Sequence, residues 1–143
     1  MNIDTNVIIG DADALIALIS EDDTHHQTAY NIVVRIYEKG LSLLFPAVTI
    51  AETITTFTRK YNDPKAATNL ANQIYEGNLK MADTTDSIMK EAARLFNPHK
   101  SKQDTFFDAV VAATAKEYNT RYIFSFDNWY EKQGFKLAKE LLV

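Results

Sequence analysis

The chain has 143 residues, 46% of them hydrophobic, which suits one folded unit (residues 1–143) with a core of ordinary size. Without cysteine it can form no disulfide, thiolate nucleophile or zinc–cysteine site, and three histidines, two of them adjacent at His25-His26, argue against a multi-histidine metal centre. A formal charge of −4 argues against a general nucleic-acid coat protein, which would be strongly basic.

The apolar run from Asn6 to Gly10 predicts a first strand, followed by a helix over Ala12 to Ser20. Glu21-Asp22-Asp23-Thr24 offers a turn and an N-cap for a second helix, His25 to Lys39, with Ala29, Ile32, Val33, Ile36 and Tyr37 at helical spacing. Gly40 stops that helix, and Leu41 to Phe45 reads as a short buried strand ending at Pro46. Val48, Ala51, Ile54 and Phe57 place the next helix, to about Tyr61. Asp63-Pro64 opens another, with Ala67, Leu70, Ala71, Ile74 and Tyr75 inward and Gly77 as its stop. Leu79 to Ala82 predicts a third strand, and Thr84 or Thr85 caps a helix running through Phe96. After the Asn97-Pro98-His99-Lys100 loop come a buried helix over Thr105 to Tyr118 and a strand over Tyr122 to Ser125. A helical turn near Trp129 and a last strand, Phe135 to Leu137, complete the chain. Strands alternating with helices imply an α/β/α sandwich around a mostly parallel sheet, whose ligands bind outside the carboxyl ends of the strands.

Four carboxylates fall where such a sheet would aim them at one point. Asp11 ends the first strand and Asp127 ends the run Tyr122-Ile123-Phe124-Ser125-Phe126. Glu52 lies in the helix after Pro46, and Asp108 is set in Phe106-Phe107-Asp108-Ala109-Val110-Val111-Ala112-Ala113, a segment otherwise too apolar to face water. Carboxylates gathered in a desolvated place repel one another and call for a cation. Oxygen ligands alone suit Mg²⁺ or Mn²⁺. With these four set aside, the 19 acidic residues are reduced to the number of the 15 basic ones, so the acidity does not exclude a nucleic-acid substrate.

Each position also has a plainer reading. Asp11 suits an N-cap, Asp13 a first helical turn where the dipole favours negative charge, and Glu52 a solvated helix face shared with Val48, Thr55, Thr56 and Arg59. Asp127 suits a strand-to-turn aspartate, and Asp104 a helix cap. Asp4 has too few residues before it for a core strand and reads as a surface residue. His25-His26 suit packing and local hydrogen bonding, and Trp129, Tyr130 and Phe135 suit the core or an interface. Arg59, Lys100 and Lys102 are candidates for phosphate contacts. What sets the four acids apart is their concurrence.

Taken together these segments resemble the PIN domain family, metal-dependent ribonucleases that include the VapC-type toxins of toxin–antitoxin pairs. Asp11-Ala12-Asp13-Ala14-Leu15-Ile16-Ala17-Leu18, with His25-His26 downstream, is similar to the family's opening motif and selects Asp11 over Asp4 as the first acid. Pro46-Ala47-Val48-Thr49-Ile50-Ala51-Glu52 resembles the segment bearing the second. Thr105 to Ala115 resembles the third, and Ile123 to Tyr130, followed by Gly134-Phe135, the fourth. Asp13 departs from the Ser, Thr or Asn more frequent there, and Ser125 stands where Thr is frequent. The resemblance implies an endoribonuclease in which Asp11, Glu52, Asp108 and Asp127 hold one or two Mg²⁺ or Mn²⁺ ions. It also implies an RNA substrate, a small antitoxin partner seated on the helices around Ala12 to Lys39 and Val48 to Gly77, and a homodimer.

Two other readings compete. A strand leading into Asp11-Ala12-Asp13 also suggests a haloacid-dehalogenase-like phosphatase, although Ala14 and the solitary Asp127 fit that scheme poorly. A PIN-like RNA-binding or interaction module with weak or lost chemistry is the other. No stretch approaches the roughly 18 consecutive apolar residues of a membrane span. The start Met-Asn-Ile-Asp has no signal-peptide character, so a cytoplasmic protein with no membrane contact is expected.

Overall fold

The computed structural model describes residues 6–99 and 105–143. Five strands, β1 (Val7–Gly10), β2 (Ser42–Pro46), β3 (Met81–Ala82), β4 (Tyr122–Phe124) and β5 (Lys136–Leu137), form one sheet in the order β3-β2-β1-β4-β5. Among the described residues every pairing is parallel, so the antiparallel allowance in "mostly parallel" is unused there. Parallel strands are apolar on both faces because helices cover both. In β1, Ile8 points to one layer, while Val7 and Ile9 point to the other. Leu43 and Phe45 of β2, and Tyr122 and Phe124 of β4, join Ile8; Leu44 and Ile123 join Ile9. Burying one such isoleucine fully contributes about 1.5–3 kcal/mol.

The Ile8 layer is covered by α1 (Ala12–Ile19), α2 (His26–Glu38), α3 (Ala47–Arg59) and α4 (Pro64–Tyr75). The opposite layer is covered by α5 (Asp86–Leu95), α6 (Phe106–Glu117) and the short α7 (Trp129–Lys132). The chain leaves β1 toward β2 and β3, then crosses to β4 and β5 on β1's other side. Right-handed crossovers put the helices of those two excursions on opposite faces. The strand order therefore reverses between β1 and β4, the switch point beside which ligands of open α/β sheets bind. Among the described residues no helix is long and apolar enough to cross a membrane.

Several element boundaries differ from the sequence reading for local reasons. Asp23 accepts the His25 N–H at 2.8 Å, so the turn runs one residue further and α2 starts at His26. Thr85, rather than Thr84, caps α5, accepting from Ile88 N–H at 3.2 Å. In α3 Phe57 is buried and Val48 and Ile54 pack on the core, as their spacing implies, but Thr49, Ile50 and Thr53 are buried as well and Ala51 is exposed. Thr53 is tolerated there because its hydroxyl donates to the Thr49 carbonyl at 2.8 Å. Ala71 and Tyr75, inward by spacing, are exposed, Tyr75 at 92%. A closing 3₁₀ turn, Ala138–Leu142, has no counterpart in the sequence reading. Asp4, Lys100, Lys102 and Asp104 lie outside the described residues.

Gly10 closes β1 beneath the Phe45 ring. A Cβ there would sit 2.2 Å from Phe45 Cε1, and Phe45 is itself buried and cannot swing away. Gly10→Ala is therefore expected to destabilise the fold by about 1–3 kcal/mol through overpacking, read from the midpoint of urea unfolding.

Candidate active site

The carboxyl edge of the sheet gathers the acids. Asp11 leaves β1 with its backbone N–H on the Phe124 carbonyl at 3.0 Å, which extends the β1–β4 ladder by one step. Its side chain caps α1, Oδ1 accepting from Ala12 N–H at 2.7 Å, so the N-cap reading holds. The other oxygen, Oδ2, accepts from the Tyr130 hydroxyl at 2.7 Å and faces the Ser125 hydroxyl at 3.4 Å. That Tyr130 hydroxyl also lies 3.5 Å from Asp108 Oδ1. A fully buried tyrosine thus bridges the first and third acids, which are 97 positions apart in sequence.

Asp108 stands at the third position of α6, in its first turn rather than mid-helix. Its Oδ2 accepts the backbone N–H of the N-cap, Thr105, at 2.9 Å. From Ala109 to Ala115 the helix is wedged, buried, between the sheet and α5, which explains its apolar sequence. Glu52 comes from the second turn of α3, half-buried, and its Oε1 is buried with no hydrogen-bond partner among the described residues. Asp127 is set differently. Its Oδ1 accepts the Trp129 N–H at 2.9 Å, the turn role also considered for it, and it meets the other acids through Asp13.

The PIN domain family profile matches residues 1–136. The chain belongs to the PIN domain family. The haloacid-dehalogenase reading is thereby set aside. Among solved structures, VapC20 of Mycobacterium tuberculosis, a toxin that cleaves the sarcin–ricin loop, superposes with a TM-score of 0.77. The two are 20% identical, over 90% of this chain and 96% of that one. VapBC2 of Rickettsia felis, bound to a DNA fragment from its promoter, gives a TM-score of 0.65 at 13% identity, over 92% and 96% of the respective chains. At these identities the likeness is one of fold. Among curated proteins no sequence matches.

Electrostatics within this PIN fold are strained by the crowding of negative charge. Burial raises the Asp11 carboxyl well above its ordinary range, and Asp13 and Asp108 push it further, against the Tyr130 and Ala12 hydrogen bonds. Asp13 is also raised, chiefly by burial. Glu52 is raised to about 7, by burial first and then by Asp108 and Asp13. The Tyr130 hydroxyl is raised by burial and by Asp11, so it stays protonated and donates.

Oxygen donors in mutual repulsion, one of them a buried oxygen without a partner, are the chemistry that a hard divalent cation satisfies. By that criterion the residues fit Mg²⁺ or Mn²⁺. Their placement is less complete, because among the described residues no group of three acidic or histidine side chains is already disposed to hold an ion. The Tyr130 hydroxyl occupies Asp11 Oδ2 and lies beside Asp108 Oδ1, and the Thr105 N–H occupies Asp108 Oδ2.

The folded Glu52 takes up a proton near neutrality that the unfolded chain, titrating near 4.5, has already released. The contribution of Glu52 to the stability of the metal-free protein is therefore fully present below about pH 4.5 and lost as pH rises through about 7. Thermal melts between pH 5 and 8 in EDTA should show this decline, and Glu52→Gln should flatten it.

Asp13, Ser125 and Tyr130 also contribute, residues that the sequence names without a hydrogen-bonding role at the site. Asp13 Oδ2 accepts from Phe126 N–H at 2.8 Å and from the Ser125 hydroxyl at 3.1 Å. His25 and His26 do serve packing and hydrogen bonding. The His25 ring stacks on Phe126 at 4.2 Å, and His26 Nδ1 lies 2.7 Å from the Ala17 carbonyl oxygen. Arg59 is exposed in the last turn of α3.

Proposed function

We propose that this protein is an Mg²⁺- or Mn²⁺-dependent endoribonuclease, the toxin of a type II toxin–antitoxin pair. The observation that carries the reading is the meeting of Asp11, Asp108 and Glu52 at the carboxyl edge of a PIN sheet. Asp11, Asp108 and Asp127 would hold the cation, with Glu52 binding it or orienting a water. The chemistry a divalent ion would supply there is a water made nucleophilic at neutral pH and charge neutralised on the phosphoryl oxygens. The protein's own part is to orient. Tyr130 fixes the Asp11 carboxylate against Asp108, and the half-buried Glu52 holds or releases a proton near neutral pH.

The antitoxin partner is supported by a groove of about 320 Å³ among α1, α2, β2 and the end of α4, lined by Leu15, Leu18, Ile19, Val33 and Leu79. The assembled VapBC2 complex supports it by analogy of fold. Homodimerisation belongs to the same reading through the family resemblance, and a cytoplasmic location is proposed with it.

One observation favours a second reading, a PIN-like binding module without catalysis: the absence, among the described residues, of three acids ready to share an ion. Incubation with a panel of structured and unstructured RNAs separates the two. Cleavage that needs Mg²⁺ or Mn²⁺ and stops in EDTA is expected. Retention of RNA without cleavage in either metal would favour the binding module.

A further inference from the structure

Asp13 belongs to the first turn of α1, where a carboxylate ordinarily faces solvent and the helix dipole. Here it reaches across to a segment more than a hundred residues away. One oxygen, Oδ2, takes both the Phe126 N–H at 2.8 Å and the Ser125 hydroxyl at 3.1 Å; Oδ1 takes the Ala14 N–H at 2.7 Å. Ser125 Oγ accepts in turn from the Asp127 N–H at 3.1 Å. Three consecutive residues, Ser125 to Asp127, are thus fastened directly or through one hydroxyl to a single carboxylate. They form the link from β4 to α7, so they also set where Tyr130 starts its reach toward Asp11.

Charge-assisted hydrogen bonds to backbone N–H groups are among the stronger polar contacts, and misplacing a reacting group by a fraction of an ångström is costly. We propose that Asp13 is a positioning residue, clamping the Ser125–Asp127 link to the start of α1 so that Asp127 and Tyr130 are held beside Asp11. The inference rests on the metal-dependent ribonuclease reading for its effect on rate, but the clamp itself does not. A bare electrostatic role would need the negative charge; a clamp needs only an acceptor oxygen in that place. Both Asp13 oxygens already have N–H donors, which favours holding over ligating.

The test compares Asp13→Ala with Asp13→Asn. Asn keeps an oxygen for the Phe126 N–H and gives up only the contact with Ala14. Amide exchange is followed at Phe126 and Asp127 in the metal-free protein, and kcat and KM are followed for Mg²⁺-dependent RNA cleavage. In Asp13→Ala, exchange at Phe126 should rise about tenfold or more, and kcat should fall about tenfold or more with KM little changed. Asp13→Asn should stay within about threefold of the parent protein in both. Unchanged Phe126 exchange and kcat in Asp13→Ala would overturn the clamp. So would an Asp13→Asn as impaired in kcat as the alanine variant while its amides stay protected, because charge would then be what matters. If the parent protein cleaves no RNA, the ribonuclease reading fails and the Phe126 exchange alone decides the clamp.

Discussion

Asp11→Asn and Asp108→Asn are each expected to lower RNA cleavage by about 10²-fold or more while the protein stays folded. The size follows from what is lost: a negative oxygen placed to stabilise charge in the transition state, in a site partly withdrawn from water. Folding survives because each amide keeps the shape and an acceptor oxygen. In Asp11→Asn the carbonyl oxygen can still take the Tyr130 hydroxyl, and in Asp108→Asn it can still take the Thr105 N–H. Burial and two neighbouring acids make the Asp11 charge unfavourable in the metal-free fold, which offsets the Ala12 N–H cap that the amide gives up, so the variant should melt close to the parent protein. Single-turnover cleavage and thermal melts in EDTA read the two halves separately. Full activity in both variants would refute the assignment of these acids.

The second large effect is on stability. An ion that binds the folded chain alone adds about 2.7 kcal/mol when its free concentration is a hundred times Kd. Mn²⁺ should therefore raise the melting temperature of the parent protein and leave Asp11→Asn nearly unmoved. The gain should grow with pH, because Glu52, poised at about 7, must shed its proton before it can bind a cation. The metal-free protein runs the other way, losing stability over the same range. Melts at pH 6 and pH 8, with Mn²⁺ and with EDTA, should show the two melting temperatures drawing apart as pH rises. Equal gains at both pH values would remove Glu52 from the metal-binding group.

Local pattern carried most of the architecture. Punctuation by Gly40, Pro46, Asp63-Pro64 and Gly77 marks real ends of elements, and the apolar runs of β1, β2 and β4 are buried on both faces as a parallel sheet requires. Where the reading slipped, the cause was chemistry that polarity scales misjudge. Thr53 is buried in α3, and Thr114 in α6, because their hydroxyls donate to the carbonyl four residues back. The opposite error placed Tyr75 inward on spacing alone.

At the site, Asp11 and Asp108 were legible because each interrupts or ends an apolar run. Asp13 and Tyr130 were not, since their roles lie in contacts 113 and 119 residues away. Tyr130 could have been suspected. A large aromatic bound for the core has a hydroxyl that must find an acceptor, and the nearest buried acceptors on offer are the acids themselves.

A crystal grown or soaked in Mn²⁺ and measured at the manganese absorption edge is the most direct examination of the central claim. Anomalous density at Asp11 and Asp108, with Glu52 or Asp127 supplying a further oxygen, is the expected result. Manganese bound only on unrelated surfaces, with the Tyr130 bridge between Asp11 and Asp108 undisturbed, would contradict it.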